Sequence, residues 1–121
     1  MLTFTWENFE VMANENCIRT FSGIEDALYV IGGKWRLRII VALFDRARRF
    51  NEIQRSVLGI SAKVLTAELK QLELNGFIKR GGLEAPEVIT YALTDYSQTL
   101  RTVVHALHDW GKAHRENIKR Q

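Results

Sequence analysis

Three features of the sequence predict a mainly α-helical chain carrying one small β-hairpin. Apolar residues recur at helical spacing over most of the 121 residues. That spacing gives way to a short β-branched and aromatic run only at Val88-Ile89-Thr90-Tyr91-Ala92-Leu93. Glycines stand where the period changes, at Gly32-Gly33, Gly59, Gly76 and Gly81-Gly82. The length suits a single domain over residues 1–121, large enough for a core without disulfide or metal staples. Within it, residues 1–21 read as an N-terminal extension and residues 95–121 as a terminal helix.

The elements follow in order. Trp6, Phe9 and Met12 share a face of a short helix ending near Asn16, and large apolar residues on an acidic segment need a cover. Ser22, with Glu25 three residues on, has the spacing of a capping box. Ala27, Leu28 and Ile31 then keep helical period up to Gly32-Gly33. The Gly-Gly-Lys there is not a phosphate loop, because the flanking spacing is absent and Trp35 stands where a hydroxyl is required. A helix from Lys34 to Phe44 follows, with Trp35, Ile39, Ala42 and Leu43 inward. After a polar connector from Asp45 to Arg49, Phe50 to Val57 forms a short helix with Ile53 and Val57 inward and Asn51, Gln54 and Arg55 outward.

The stretch from Gly59 to Phe77 has the clearest signals. Ser61 is an N-cap, Asn75-Gly76 a C-terminal stop, and Leu65, Leu69 and Leu72 share one face. At 100° per residue, Lys63, Thr66, Ala67 and Lys70 fall opposite, with Leu74 joining them in the last turn. Two short helices joined by a Gly-containing turn make a helix-turn-helix. A hairpin over residues 78–93 then forms a wing, with Lys79 and Arg80 at its base and Glu84, Pro86 and Glu87 near its tip. The fold class is thus a winged helix-turn-helix with N- and C-terminal dimerisation helices. Thr94 or Asp95 caps the last helix, from Tyr96 to about Lys119. Its stripe of Leu100, Val103, Val104, Leu107 and Trp110 is longer than so small a domain needs, which points to a second subunit. Trp6 and Phe9 join that expected dimer interface.

Net charge is only +3, but it is unevenly placed. Residues 1–33 carry one base and five acids, giving −4. Residues 34–80 carry eleven bases and four acids, giving +7, and residues 81–121 carry five of each. A basic centre around a helix-turn-helix makes double-stranded DNA the expected partner. Ser61, Lys63, Thr66 and Lys70 are the expected base-contacting residues, since Lys donates to guanine and Thr offers a methyl or hydroxyl. Arg48, Arg49, Arg55, Lys79 and Arg80 are expected at the DNA backbone. No basic stretch leading into an apolar one marks a secretory signal, and no apolar run reaches membrane length. With a single cysteine, Cys17, the expected compartment is the cytoplasm.

Enzymatic chemistry finds no support. Ser61 lacks a nucleophile elbow, and no paired carboxylates stand in an evident cleft. His105 and His108 beside Asp109 have chelating spacing but lack a further ligand, so no metal and no cofactor is expected.

Particular words now stand in order: Ile31-Gly32-Gly33-Lys34-Trp35, Arg49-Phe50-Asn51-Glu52-Ile53, Gly59-Ile60-Ser61-Ala62-Lys63-Val64-Leu65-Thr66, Leu72 to Arg80, Tyr91-Ala92-Leu93-Thr94 and Trp110-Gly111. Together, over about Ile24 to Gly111, they resemble the HxlR family of bacterial winged-helix transcriptional regulators. The resemblance implies a cytoplasmic homodimer that binds an operator through two winged units, with residues 61–75 as the recognition helix. It also implies a departure. Many relatives carry a cysteine followed by proline shortly before the I-G-G-K-W word, whereas Cys17 lies further upstream and precedes Ile18. The proline-rich word common in the family's hairpin is missing as well. Two further readings remain beside DNA binding: a winged-helix module that joins proteins, and a thiol-reactive or small-molecule sensor acting through Cys17.

Overall fold

The computed structural model describes residues 21–82 and 88–120. Trp6, Phe9, Cys17 and the wing-tip residues 83–87 lie outside them. The chain divides into two compact units, residues 1–33 and 34–121.

In the first unit, residues 21–31 form helix α1. Ser22 is already inside the helix, so it is not the N-cap its spacing predicted. The Gly32 N–H closes the last turn on the Leu28 carbonyl at 2.8 Å, and a Cβ at Gly32 would sit 2.2 Å from that oxygen. A side chain there is sterically forbidden, which explains the first glycine of the pair.

The second unit is a winged helix-turn-helix in the order α2 (Arg36–Ala42), α3 (Phe50–Ser56), α4 (Ala62–Leu74), β1 (Ile78–Gly81), β2 (Thr90–Leu93), a 3₁₀ turn (Asp95–Thr99) and α5 (Leu100–Lys119). Helix α2 is shorter than its apolar period suggested. The N–H groups of Leu43 and Phe44 bond back three residues, to Ile40 and Val41, and tighten the end into a turn. Ile39, Ile40 and Leu43 are buried, while Trp35 and Ala42 are only half-buried. Trp35 holds the Lys34 ammonium 4.7 Å from its ring centre. In α3, Ile53 and Val57 are buried as expected.

Helix α4 begins where Ser61 Oγ accepts from the Val64 N–H at 3.1 Å. Leu65, Leu69 and Leu72 are all buried, each contributing about 2 kcal/mol of hydrophobic stabilisation. Asn75 closes the helix and Gly76 turns the chain at φ +80. The Phe77 N–H then reaches back to the Leu72 carbonyl at 2.9 Å, the hydrogen bond of a glycine-capped helix end.

The hairpin pairs antiparallel, with Ile78 opposite Leu93 and Arg80 opposite Tyr91. Strand β2 starts at Thr90, later than the β-branched run at Val88 suggested. Gly82, at φ +69, passes so close to Val88 that a Cβ would lie 2.4 Å from its carbonyl oxygen. One contact was not anticipated. Tyr91 donates to the Arg48 carbonyl at 2.8 Å and accepts from the Arg48 N–H at 2.9 Å, an isolated antiparallel bridge. Tyr91 thereby fastens the wing to the connector that precedes α3.

The last helix is entered through a 3₁₀ turn capped by Thr94 rather than directly. The Thr94 hydroxyl donates to the Gly76 carbonyl at 2.6 Å, and the buried Ser97 hydroxyl donates to the Phe77 carbonyl at 2.5 Å. Helix α5 contains no buried residue, although Leu100 and Val104 are half-buried. Replacing Ser97 by alanine leaves the carbonyl of buried Phe77 short of one donor, so Ser97→Ala is expected to cost about 1–2 kcal/mol. Urea denaturation should show a lower midpoint with an unchanged slope.

Candidate nucleic-acid interface

The outer face of α4 carries Lys63, Thr66, Ala67 and Lys70, all exposed, on a helix pinned from beneath by its three leucines. Leu74 is exposed in the last turn of the same face. Neither Lys63 nor Lys70 makes an ion pair among the described residues. The Thr66 hydroxyl donates to the Ala62 carbonyl at 2.8 Å, so its proton is taken and its methyl is what it can offer a base edge. Ser61 uses its oxygen as a cap acceptor and keeps its O–H as a donor.

Two clefts share Phe50 and Tyr91 as walls. One, of about 340 Å³, brings together Thr66, Leu69, Lys70, Glu73 and Arg80 between α4 and the wing base. The other, of about 720 Å³, brings together Arg49, Asn51, Glu52, Arg55 and Ile89 between the start of α3 and the wing. Five of the expected site residues therefore converge on the α3–α4–wing surface. Ser61 and Lys63 lie at the other end of α4, and Lys79 is exposed on β1 opposite Ala92.

The arginines divide by what they already hold. The Arg48 guanidinium donates to the Ala42 carbonyl at 2.7 Å and pairs with Asp45 at 3.1 Å, so it closes the end of α2 and is largely covered. Arg46 pairs with Glu52 at 3.0 Å, and Arg80 with Glu73 at 3.2 Å, both in exposed positions. Arg36 on α2 reaches Glu68 on α4 at 3.1 Å and is mostly shielded from solvent. Exposed pairs contribute about 0–1 kcal/mol, so a phosphate can readily displace Glu73 or Glu52 from its arginine. Arg49 and Arg55 are exposed and have no ion pair among the described residues.

Glu68, Glu73 and Arg36 organise this surface although no motif marks them. Arg36 and Glu68 pair across 32 residues of chain, and Glu73 reaches Arg80 only because the turn at Gly76 brings β1 back beside the end of α4. Among the described residues no cluster of His, Cys, Asp and Glu is placed to hold a metal, and no helix is long and apolar enough to cross a membrane.

Comparison with known proteins agrees with this geometry. The HxlR-like helix-turn-helix family matches residues 30–119. The chain belongs to that family. Two similar family members are from Bacillus subtilis: the uncharacterized HTH-type transcriptional regulator YdeP is 34% identical over 96 residues, covering 78% of this chain and 75% of YdeP. The regulator YodB is 34% identical over 100 residues, covering 82% and 86%. Among solved structures, the reduced form of the redox regulator HypR superposes with a TM-score of 0.74 at 32% identity, over 82% of this chain and 99% of that one. Quinone-bound YodB superposes with a TM-score of 0.66 at 32% identity, over 76% and 98%.

Glu52 ties acid stability to this surface. Its carboxylate accepts from the Arg49 N–H at 3.0 Å and from Arg46, which hold its pKa below the ordinary 4.5. A lowered folded pKa gives stability that is present above the unfolded pKa and lost as pH falls through the folded value. Wild type should therefore lose stability more steeply than Glu52→Gln between about pH 5 and pH 3, as read by urea midpoints across that range.

Proposed function

We propose that this protein is a sequence-specific DNA-binding transcriptional regulator that acts as a homodimer, with the recognition helix 61–75 in the major groove and the wing, residues 78–93, beside the backbone. The observation that carries the reading is the α4 outer face: exposed, cationic, without an acid partner among the described residues, and mounted on a buried leucine row beside an anchored wing. Family membership and the printed names of its relatives as transcriptional regulators support it.

In this reading Lys63 and Lys70 donate to guanine edges, the Thr66 methyl meets a thymine methyl, and Ser61 donates at the groove edge. Arg49, Arg55, Lys79 and Arg80 hold phosphates, which set register without reading sequence. Arg48 acts one step back. It fixes the connector from which Arg49 projects, and through Tyr91 it fixes the wing.

The homodimer reading is supported by exposed apolar residues in each unit taken by itself. Val103, Leu107, Trp110 and Ile118 are exposed on one helix, and Phe21, Ile24 and Leu28 on the other. So many large apolar residues in solvent need a second surface. A two-fold pair would present two α4 helices to successive major grooves, as a palindromic operator requires.

Two measurements test this. The Lys63→Ala/Lys70→Ala double variant should lose about 2 kcal/mol or more of operator affinity and discriminate less between operator and random duplex. Arg55→Ala should weaken both duplexes alike and flatten the salt dependence by about one unit of slope. Parent-like binding by the double variant would remove α4 from the base-reading role. Failure of the parent to bind any duplex, or binding indifferent to salt, would instead mark a module that joins proteins. For the dimer, Leu107→Lys should sediment as a monomer at concentrations where the parent is two-fold.

A further inference from the structure

Among the cations expected at the DNA backbone, Arg80 is held by an acid of the recognition helix itself. Its Nε donates to Glu73 Oε2 at 3.2 Å, from the wing base to the last turn of α4. Arg49, Arg55 and Lys79 make no ion pair among the described residues, and Arg48 is engaged by Asp45 in the connector. At 100° per residue, Glu73 lies within about 60° of both Thr66 and Lys70. Its carboxylate therefore stands at the wing-side edge of the face that meets the duplex, in one cleft with Thr66, Lys70 and Arg80. Phosphates repel a carboxylate placed there, so its presence weakens the attraction of this surface for any polyanion.

Stability of the frame does not account for it. The other acid of α4, Glu68, is only 23% exposed and its partner Arg36 22%, as befits a structural tie. Glu73 and Arg80 are 39% and 45% exposed. The bond from the Phe77 N–H to the Leu72 carbonyl already fixes how the chain leaves α4. A pair so open to water adds little to stability, and its members can exchange partners. A phosphate offers the guanidinium the same charge-assisted hydrogen bonds as the carboxylate does.

We propose that Glu73 guards Arg80, keeping the guanidinium off duplex phosphates until α4 is seated in the major groove. This rests on the DNA-binding reading and adds how that surface discriminates. In a loose complex with random duplex, Arg80 stays on Glu73. Seating α4 sets the wing base against a phosphate, which then takes the guanidinium from the carboxylate. The contact strengthens the seated complex and leaves the loose one weak, which raises the ratio of specific to random affinity. Lys63, Lys70, Arg49 and Arg55 attract any duplex, whereas the guarded arginine responds to the fitted one.

The test uses two probes, a duplex that the parent selects from a random-sequence pool and an unselected random duplex. Fluorescence anisotropy across a salt series measures both on the full-length parent, Glu73→Gln, Arg80→Ala and the double variant. Glutamine keeps the size of the side chain, and far-UV circular dichroism checks folding. Glu73→Gln is expected to bind the random duplex about fivefold more tightly and the selected duplex at most about twofold more tightly. Its salt dependence on random duplex should steepen by about one unit of slope. In the Arg80→Ala background, Glu73→Gln should leave random-duplex affinity nearly unchanged, since the two residues act as a pair. An equal gain on both duplexes, or a gain that persists without Arg80, would overturn the proposal, because either marks plain charge repulsion. Absence of any gain on random duplex would overturn it as well. A parent that binds no duplex removes the DNA-binding reading itself, so the two failures are told apart.

Discussion

The peptide at Phe77 is the joint on which the second unit turns. Its N–H goes back to Leu72 and ends the recognition helix. Its carbonyl takes the Thr94 N–H at 3.1 Å and the Ser97 hydroxyl, so both lone pairs are used by the entry to α5. Its side chain is buried, and its ring stacks on Tyr96 with centroids 5.5 Å apart. One residue thus fixes three directions: where α4 stops, where the wing starts and where the last helix departs. Because a buried carbonyl costs free energy when left unpaired, these directions are locked together rather than set one by one.

Local signals in the chain were legible where the physics is local. Ser61 caps, the leucine row buries and Gly76 turns, because each depends on residues within four positions of itself. The winged helix-turn-helix class followed from those signals and from the change of period at the hairpin. What stayed hidden depends on distant partners. Arg48 reads as one more cation in a basic run, and nothing near it in sequence announces that its backbone pairs with Tyr91 in β2. Ser97 reads as an ordinary polar residue in a helical start, yet it is fully buried. Ser22 failed the other way. A valid capping pattern is overridden when the helix is already under way before it.

The basic centre is not a uniform sheet of free charge. Some of its cations are bound into the frame, through Arg36 to Glu68 and Arg48 to Asp45. Others lean on exposed acids from which a stronger anion can draw them. Lys63, Lys70, Arg49 and Arg55 remain uncommitted to acids among the described residues. The field that attracts a polyanion is the sum of all of them, whereas the side chains able to touch it are a subset.

The Arg48–Tyr91 bridge also bears on the order of assembly. The loop it closes runs from residue 48 to residue 91, and closing a loop of that length costs chain entropy before any contact repays it. The α3–α4 pair, by contrast, is built from near neighbours and can form on its own timescale. The bridge is therefore a late event in folding and an early one in local opening, so that Tyr91 should show a φ-value near zero where Leu65 shows a higher one. Breaking that bridge would release the wing from the connector while the leucine row beneath α4 stays buried.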